Sequence, residues 1–135
     1  MKKLENVCIL HVDPDFAFQE AIKRLFPPSY RILPAPNLAE ASTMLLVDRP
    51  SVVLIELNMP EGDSLSWIRD VRLYATRRQL TIICVTYRSS VRDKVDGFST
   101  GADDYIVKPI DPLTFLTRVK LQLRIRQIAT TYREG

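Results

Sequence analysis

Short apolar runs alternate with segments of helical periodicity along the chain. Val7–Val12 is apolar at every position except His11, the pattern of a strand buried on both faces. Asp15 stands where an N-cap belongs. Phe18, Ala21, Ile22 and Leu25 follow at i, i+3, i+4 and i+7, predicting an inward helix face that ends at Pro27 and Pro28. Tyr30–Leu33 predicts a second strand. Asn37 and Glu40 form a capping box for a helix that turns Leu38, Ala41 and Leu45 inward. Val52–Leu57 is a third buried strand, broken only by Glu56, and Thr81–Thr86 is a fourth. Between them Pro60–Asp63 reads as a turn, and Leu65, Ile68 and Val71 mark a helix. Val91, Val95 and Phe98 form a stripe that ends at Gly101, in the place of a helix C-cap. Tyr105–Val107 predicts a brief fifth strand, and Asp111 with Pro112 opens a last helix.

Five strand–helix alternations with apolar strands predict an α/β domain: a parallel sheet covered on both faces and joined by right-handed crossovers. Such sheets collect ligands and chemistry at the carboxyl ends of their strands. A length of 135 residues fits one domain and no second. The 46% hydrophobic and 26% charged residues exclude a disordered or fibrous chain. No apolar run approaches the roughly 18 residues of a membrane span, and Met1-Lys2-Lys3 leads into a strand-like segment rather than a signal peptide. Cys8 and Cys84 build no disulfide framework, which points to the reducing cytosol. A net charge of +3, spread among alternating acids and bases, makes no demand for nucleic acid.

The strand ends carry the informative residues: Asp13 after strand one, Glu56 at strand three, Thr86 at strand four and Lys108-Pro109 at strand five. In the stretches ILHVDPD, VVLIELNMP, IICVT and GADDYIVKP the chain resembles the receiver domain of two-component response regulators, from about Val7 to about Arg126. The resemblance implies a flavodoxin-like, doubly wound five-stranded sheet in the order 2-1-3-4-5 and a cis Lys108–Pro109 bond. It also implies a chemistry. In that family two acids after strand one and an aspartate after strand three hold Mg²⁺, and the aspartate accepts a phosphoryl group from a histidine kinase. Carboxylates suit a hard ion that demands near-octahedral geometry at about 2.1 Å. The ion and a lysine neutralise charge on the phosphoryl group in flight. Carried over residue by residue, Asp13 matches the first acid and Asn58 the residue whose backbone carbonyl faces the metal. Thr86 matches the switch hydroxyl, Tyr105 the switch aromatic and Lys108 the lysine.

Two positions depart. Pro14 stands where the second acid, a direct metal ligand, is expected, and Glu56 where the phosphoacceptor aspartate is expected. Asp15 is better placed as a helix cap than as a substitute for the missing ligand. The extra methylene of Glu56 moves its carboxylate by about 1.5 Å, enough to spoil a near-attack geometry. The expectation is a degenerate receiver with weak or no Mg²⁺ binding, no cofactor and no ordinary phosphorylation by a histidine kinase. Glu56 then has two readings: it reaches toward Thr86 and Lys108 as a mimic of phospho-aspartate, or it pairs inertly with Lys108. Regulation by another ligand or partner is a third. Among the nine prolines, Pro27, Pro28, Pro60, Pro109 and Pro112 bound elements or follow strands, whereas Pro14 displaces a ligand.

His11, the single histidine, shares a side with Asp13 by period-2 alternation and reads as a satisfied buried histidine rather than a proton sensor. Cys8 and Cys84 read as inert core thiols and Trp67 as packing. Tyr87 reads as a cover over the former site or as surface packing, and Arg88 as an exposed loop residue rather than a partner of Glu56. On the last helix Phe115, Leu116, Val119 and Leu123 face inward. Leu121, Ile125, Ile128 and Tyr132, spaced 4, 3 and 4, lie on nearly the opposite side and predict a dimer contact or the start of a signalling helix. Lys94, Asp103, Asp104 and Arg118 occupy positions that the family's transcription-factor branch uses to dimerise through helix four, strand five and helix five. Leu113 and Thr114 stand where that pairing expects an acid.

These residues predict a receiver domain over 1–128 and a tail, or the start of a linker helix, over 129–135. The expected role is a cytoplasmic, phosphorylation-independent interaction or dimerisation module in two-component-type signalling, without enzymatic activity. Its expected partner is a protein or a fused effector domain, with no direct contact to nucleic acid and none to a membrane. One alternative is a working phospho-receiver that tolerates Pro14 and Glu56. The other is a flavodoxin-like cofactor-binding domain, which would want a glycine- or Ser/Thr-rich phosphate loop where DPDF stands.

Overall fold

Strands apolar on both faces need helices on both sides, and the chain supplies them. The computed structural model describes residues 6–134, with side chains through residue 128. The Met1–Lys3 segment and the Tyr132 side chain lie outside the described residues. The elements run β1 (Cys8–Val12), α1 (Phe16–Leu25), β2 (Arg31–Ala35), α2 (Leu38–Asp48), β3 (Val52–Ile55), α3 (Ser64–Arg72), β4 (Thr81–Thr86), α4 (Val91–Thr100), β5 (Asp104–Val107) and α5 (Pro112–Glu134). All strand pairs are parallel and the sheet order is β2-β1-β3-β4-β5. Every residue of β3 and β4 is buried, as their unbroken apolar pattern requires. The order reverses between β1 and β3, so a crevice opens at their carboxyl ends. β2 is an edge strand, where an internal proline is tolerated, and it extends through Pro34 to Ala35.

Two cores sandwich the sheet. On one side Leu10, Val12, Val53, Ile55 and Ile82 pack with Ala41 of α2 and Ile68 and Val71 of α3. On the other, Ile9, Val52, Leu54 and Ile83 meet Ile22 of α1 and Phe115, Val119 and Leu123 of α5. The caps fall where their residue types put them. Asp15 Oδ1 accepts from the Phe18 amide (3.1 Å), Asn37 Oδ1 from Glu40 (2.8 Å) and Asp111 Oδ2 from Thr114 (2.9 Å). Gly101 ends α4 at φ 130°, a left-handed value that favours glycine. The Lys108–Pro109 bond is cis.

Three expectations about facing are corrected. In α1, Ala21 is exposed and Gln19 is buried in its stead. The Gln19 amide donates to the carbonyl of Asp13 (2.7 Å), just past β1, and is a second donor to that of Ala35 (3.1 Å), which also accepts from the Asp13 amide. In α4, the Val91–Val95–Phe98 stripe faces solvent. The inward residue of that helix is Gly97, where an added Cβ would come within 3.0 Å of the Tyr105 ring, so the helix meets the sheet closely at its glycine. Cys8 is only half-buried, although burial raises its thiol pKa. Cys84 is fully buried and its thiol is pushed up to about 12, chiefly by burial. On α5, Leu121, Ile125 and Ile128 are exposed, opposite the buried Phe115, Val119 and Leu123. Arg126 fastens the far part of α5 by donating to the carbonyls of Ser51, Arg78 and Gln79.

A second arginine holds the start of β4. Arg72 donates to the carbonyls of Gly101 (2.9 Å) and Leu80 (2.6 Å) and to Asp103 Oδ2 (2.8 Å), which also accepts from the Ile82 amide at 2.8 Å. Asp103→Ala strands both donors in a largely buried setting. It is expected to lower the unfolding free energy by about 3 kcal/mol, read as a shift in urea midpoint at unchanged slope. A loss below about 1 kcal/mol would deny this clamp a structural role.

Candidate functional site

The sheet's own hydrogen bonds align the ends of β1, β3, β4 and β5 along one edge. The amide of Glu56 donates to Val12 O (2.9 Å), that of Lys108 to Thr86 O (2.8 Å) and that of Asp13 to Ala35 O (3.0 Å). Lys108 Nζ therefore reaches both acids, donating to Asp13 Oδ2 at 2.7 Å and to Glu56 Oε1 at 3.0 Å. The other oxygens are taken by backbone amides: Asp13 Oδ1 accepts from Asp15 at 2.8 Å and Glu56 Oε2 from Asn58 at 2.9 Å. All three charged side chains are buried. Burial alone would lower the Lys108 pKa, but the bonds to Asp13 and Glu56 outweigh it and raise the value. Burial raises the pKa of Asp13, against the opposing pull of Lys108 and the Asp15 amide.

Two rings close over the ammonium. Phe18 lies 4.2 Å and Tyr87 5.4 Å, ring centroid to Lys108 Nζ, within cation–π range. Tyr87 thus partly covers the site while remaining 63% exposed. The part played by Phe18 is not visible in the sequence, where it reads only as core. Its signal is its place one helical turn beyond the Asp15 cap, at the mouth of the crevice.

Thr86 and Tyr105 are both buried. Thr86 Oγ1 accepts from the Arg88 amide (3.3 Å), and Tyr105 Oη donates to Arg88 O (2.8 Å). Burial pushes the Tyr105 phenol up to about 12, so it keeps the proton it donates. Arg88 is not a free loop residue, and it does not meet Glu56. Its Nε donates to Asn58 Oδ1 at 2.6 Å and its Nη2 to Leu57 O at 3.4 Å. The loop after β4 is thereby tied to the loop after β3.

His11 departs from the satisfied state expected of it. Its Nδ1 is buried without a hydrogen-bond partner, and its Nε2 stands 4.0 Å from Asp13 Oδ2, beyond hydrogen-bond range. Burial, and secondarily the Lys108 charge, lowers its pKa to about 3. The ring is therefore neutral, packed edge-on against Phe18 at 5.6 Å.

The donor set around Asp13 fits a resident metal poorly. Pro14 is exposed and contributes no ligand, and every oxygen of Asp13 and Glu56 already accepts from a protein donor. Among the described residues, no three His, Cys, Asp or Glu side chains gather as a ligand set. On the neighbouring face, Lys94, Phe98, Tyr105 and Arg118 line a shallow pocket of about 420 Å³. Arg118 grips Asp104 with two nitrogens and also donates to Tyr105 O (3.1 Å). Asp103 is turned away from that face and held by Arg72 and Arg77.

A family profile described as response regulator receiver domain matches residues 9–120. Response regulator MprA of Mycobacterium bovis is 37% identical over 120 residues, 88% of this chain and 51% of that protein. MprA of Mycobacterium leprae is 37% identical over 117 residues, 86% of this chain and 50% of its own length. The chain spans about half the length of these curated relatives. A CheY-like receiver domain protein from Methanospirillum hungatei superposes with a TM-score of 0.83 at 23% identity, covering 96% of this chain and 98% of that one. A putative response regulator from Chloroflexus aurantiacus gives 0.81 at 26% identity, with 89% and 99% covered. No helix among the described residues is long and apolar enough to cross a membrane.

The pKa of His11 sets a pH dependence. As pH falls below 6.5 the unfolded chain takes up a proton that the folded chain refuses until about pH 3, so stability is lost on acidification. By pH 4.5 this loss is expected to reach about 2–3 kcal/mol, and His11→Leu should remove it. Urea titrations of both proteins at neutral pH and at pH ~4.5 measure the difference; parallel pH profiles would contradict it.

Proposed function

The chain belongs to the response regulator receiver family of two-component signalling, and on that premise we propose that it signals without phosphorylation, as a protein-interaction module closed by its own side chains. The observation that carries the reading is the complete engagement of Asp13 and Glu56 by Lys108 and two backbone amides. A carboxylate that attacks phosphorus needs an uncommitted oxygen in line with the leaving group and a cation to gather charge. Here the cation at hand is Lys108, already shared between two acids, and Pro14 supplies no ligand for a divalent ion. Mg²⁺ binding is accordingly weak or absent.

Of the two readings of Glu56, pairing with Lys108 is the one its contacts support. Among the described residues it meets Lys108 and Asn58 rather than Thr86. The inward Thr86 and Tyr105 are held by Arg88, which does without a phosphoryl group what that group would otherwise do for the loop. The output surface is then the exposed apolar groups of α4 and α5, Val91, Val95, Leu121 and Ile125, beside Lys94 and the Asp104–Arg118 pair. They suit a protein partner, a fused effector domain or a second copy of this chain.

Acetyl phosphate or beryllofluoride with Mg²⁺ is expected to leave the intact mass and the Trp67 emission unchanged. A stoichiometric adduct at Glu56 would instead establish a working phospho-receiver. Arg88→Ala is expected to raise amide exchange across residues 86–90 by roughly tenfold or more; unchanged protection would remove Arg88 from the closure. In sedimentation, Ile125→Glu should shift a parent dimer to monomer, and identical monomers would rule out the second copy.

A further inference from the structure

At the amino-terminal end of the sheet, away from the Lys108 cluster, a groove of about 630 Å³ lies between α2 and α3. Its lining holds none of Leu121, Ile125 and Ile128, so this face is distinct from the apolar stripe of α5. Leu45, Leu80 and Trp67 give the groove an apolar floor, and Trp67 is fixed there by its indole N–H, which donates to Ser42 Oγ at 2.9 Å. Leu46 and Tyr74 also line it while remaining 76% and 87% exposed, so two large apolar groups stand in water beside an apolar trough. A face that carries both a trough and the knobs to fill one is self-complementary in shape.

The charges of the same face are self-complementary too. Arg126, in the lining, is engaged within the chain: it donates to three backbone carbonyls and feels the charge of Asp103. The other charged lining residues are Arg49 and Asp70, one of each sign. Both are exposed, and the side chain of neither has an ion-pair or hydrogen-bond partner among the described residues. They do not meet each other within the chain. A rim so balanced selects neither an anion nor a cation, but it suits its own image. In a twofold contact residue i meets j and j meets i, so each Arg49 faces the Asp70 of the other copy and no like charges are forced together.

We propose that the α2–α3 face is a twofold contact between two copies of this chain, with Tyr74 and Leu46 of each copy packed into the trough of the other and Arg49 of each paired with the Asp70 of the other. The apolar groups supply the attraction, and the two reciprocal ion pairs fix the register. A small patch with solvated ion pairs makes a weak dimer, expected at roughly 100 µM protein and above rather than at dilution. The proposal does not rest on the phosphorylation-independent reading of the Lys108 cluster and survives its failure.

Ile125→Glu provides the background, so that association through α5 does not contribute. Sedimentation of this protein at rising concentration is expected to show a reversible monomer–dimer equilibrium. Arg49→Glu and Asp70→Arg, each added alone, set like charges across the twofold and should each weaken self-association by roughly tenfold or more. Mixed in equal amounts, the two variants meet with opposite charges at both pairs, so association is expected to return to about the parent level. That rescue also shows that both variants are folded. Tyr74→Ser, at an exposed position, should weaken the dimer while its thermal midpoint holds. Monomers at every concentration, charge variants that self-associate as the parent does, or a mixture no more associated than its components would each overturn the proposal.

Discussion

One ammonium group holds the crevice together. Lys108 arrives from β5, Asp13 from β1 and Glu56 from β3, and their contacts of 2.7 and 3.0 Å close the space between three strand ends. Two buried carboxylates repel each other and lose solvation, and a single shared cation offsets both costs only if its geometry is good. The backbone amides of Asp15 and Asn58 meet the oxygens that the lysine leaves. Phe18 and Tyr87 then shield the charge from water, which strengthens every contact beneath them. Removing Lys108 leaves two carboxylates uncompensated in a place that cannot hydrate them.

That constraint reaches outward through the loops. Asn58 serves Glu56 with its amide and Arg88 with its side-chain oxygen, so it links the ion cluster to the clamp above it. Arg88 in turn presents its carbonyl to Tyr105, and the Tyr105 ring fills the space beneath Gly97 of α4. A chain of contacts thus runs from a buried charge to the face where α4, β5 and α5 show apolar groups to solvent. Each link is a packed or hydrogen-bonded pair, so the surface is set by the same residues that satisfy the interior.

The fold was largely legible because its strands are apolar at nearly every position and its helices begin at Asp15, Asn37 and Asp111, whose side chains cap on local spacing alone. The convergence of Asp13, Glu56 and Lys108 followed from strand ends in a parallel sheet. What escaped depends on distance along the chain. Arg88 meets a partner 30 residues away, and nothing in its neighbours announces this. Gln19 lies outside the apolar stripe of α1, and only the fold brings the Asp13 and Ala35 carbonyls within reach of its amide. The Val91 stripe has core periodicity, yet Gly97 decides which way α4 turns. His11 gives no sign in sequence that its Nδ1 ends up unpaired.

The fastening of the Arg88 loop bears on time as well as shape. A phospho-aspartate is labile, and its hydrolysis ends a signal on its own schedule. Guanidinium and phenol contacts to Asn58, Leu57 and the Arg88 carbonyl have no such clock. A receiver closed in this way would broadcast one state for as long as it exists, and its message would be its copy number. Control would then pass from the kinase to synthesis and turnover of the protein itself.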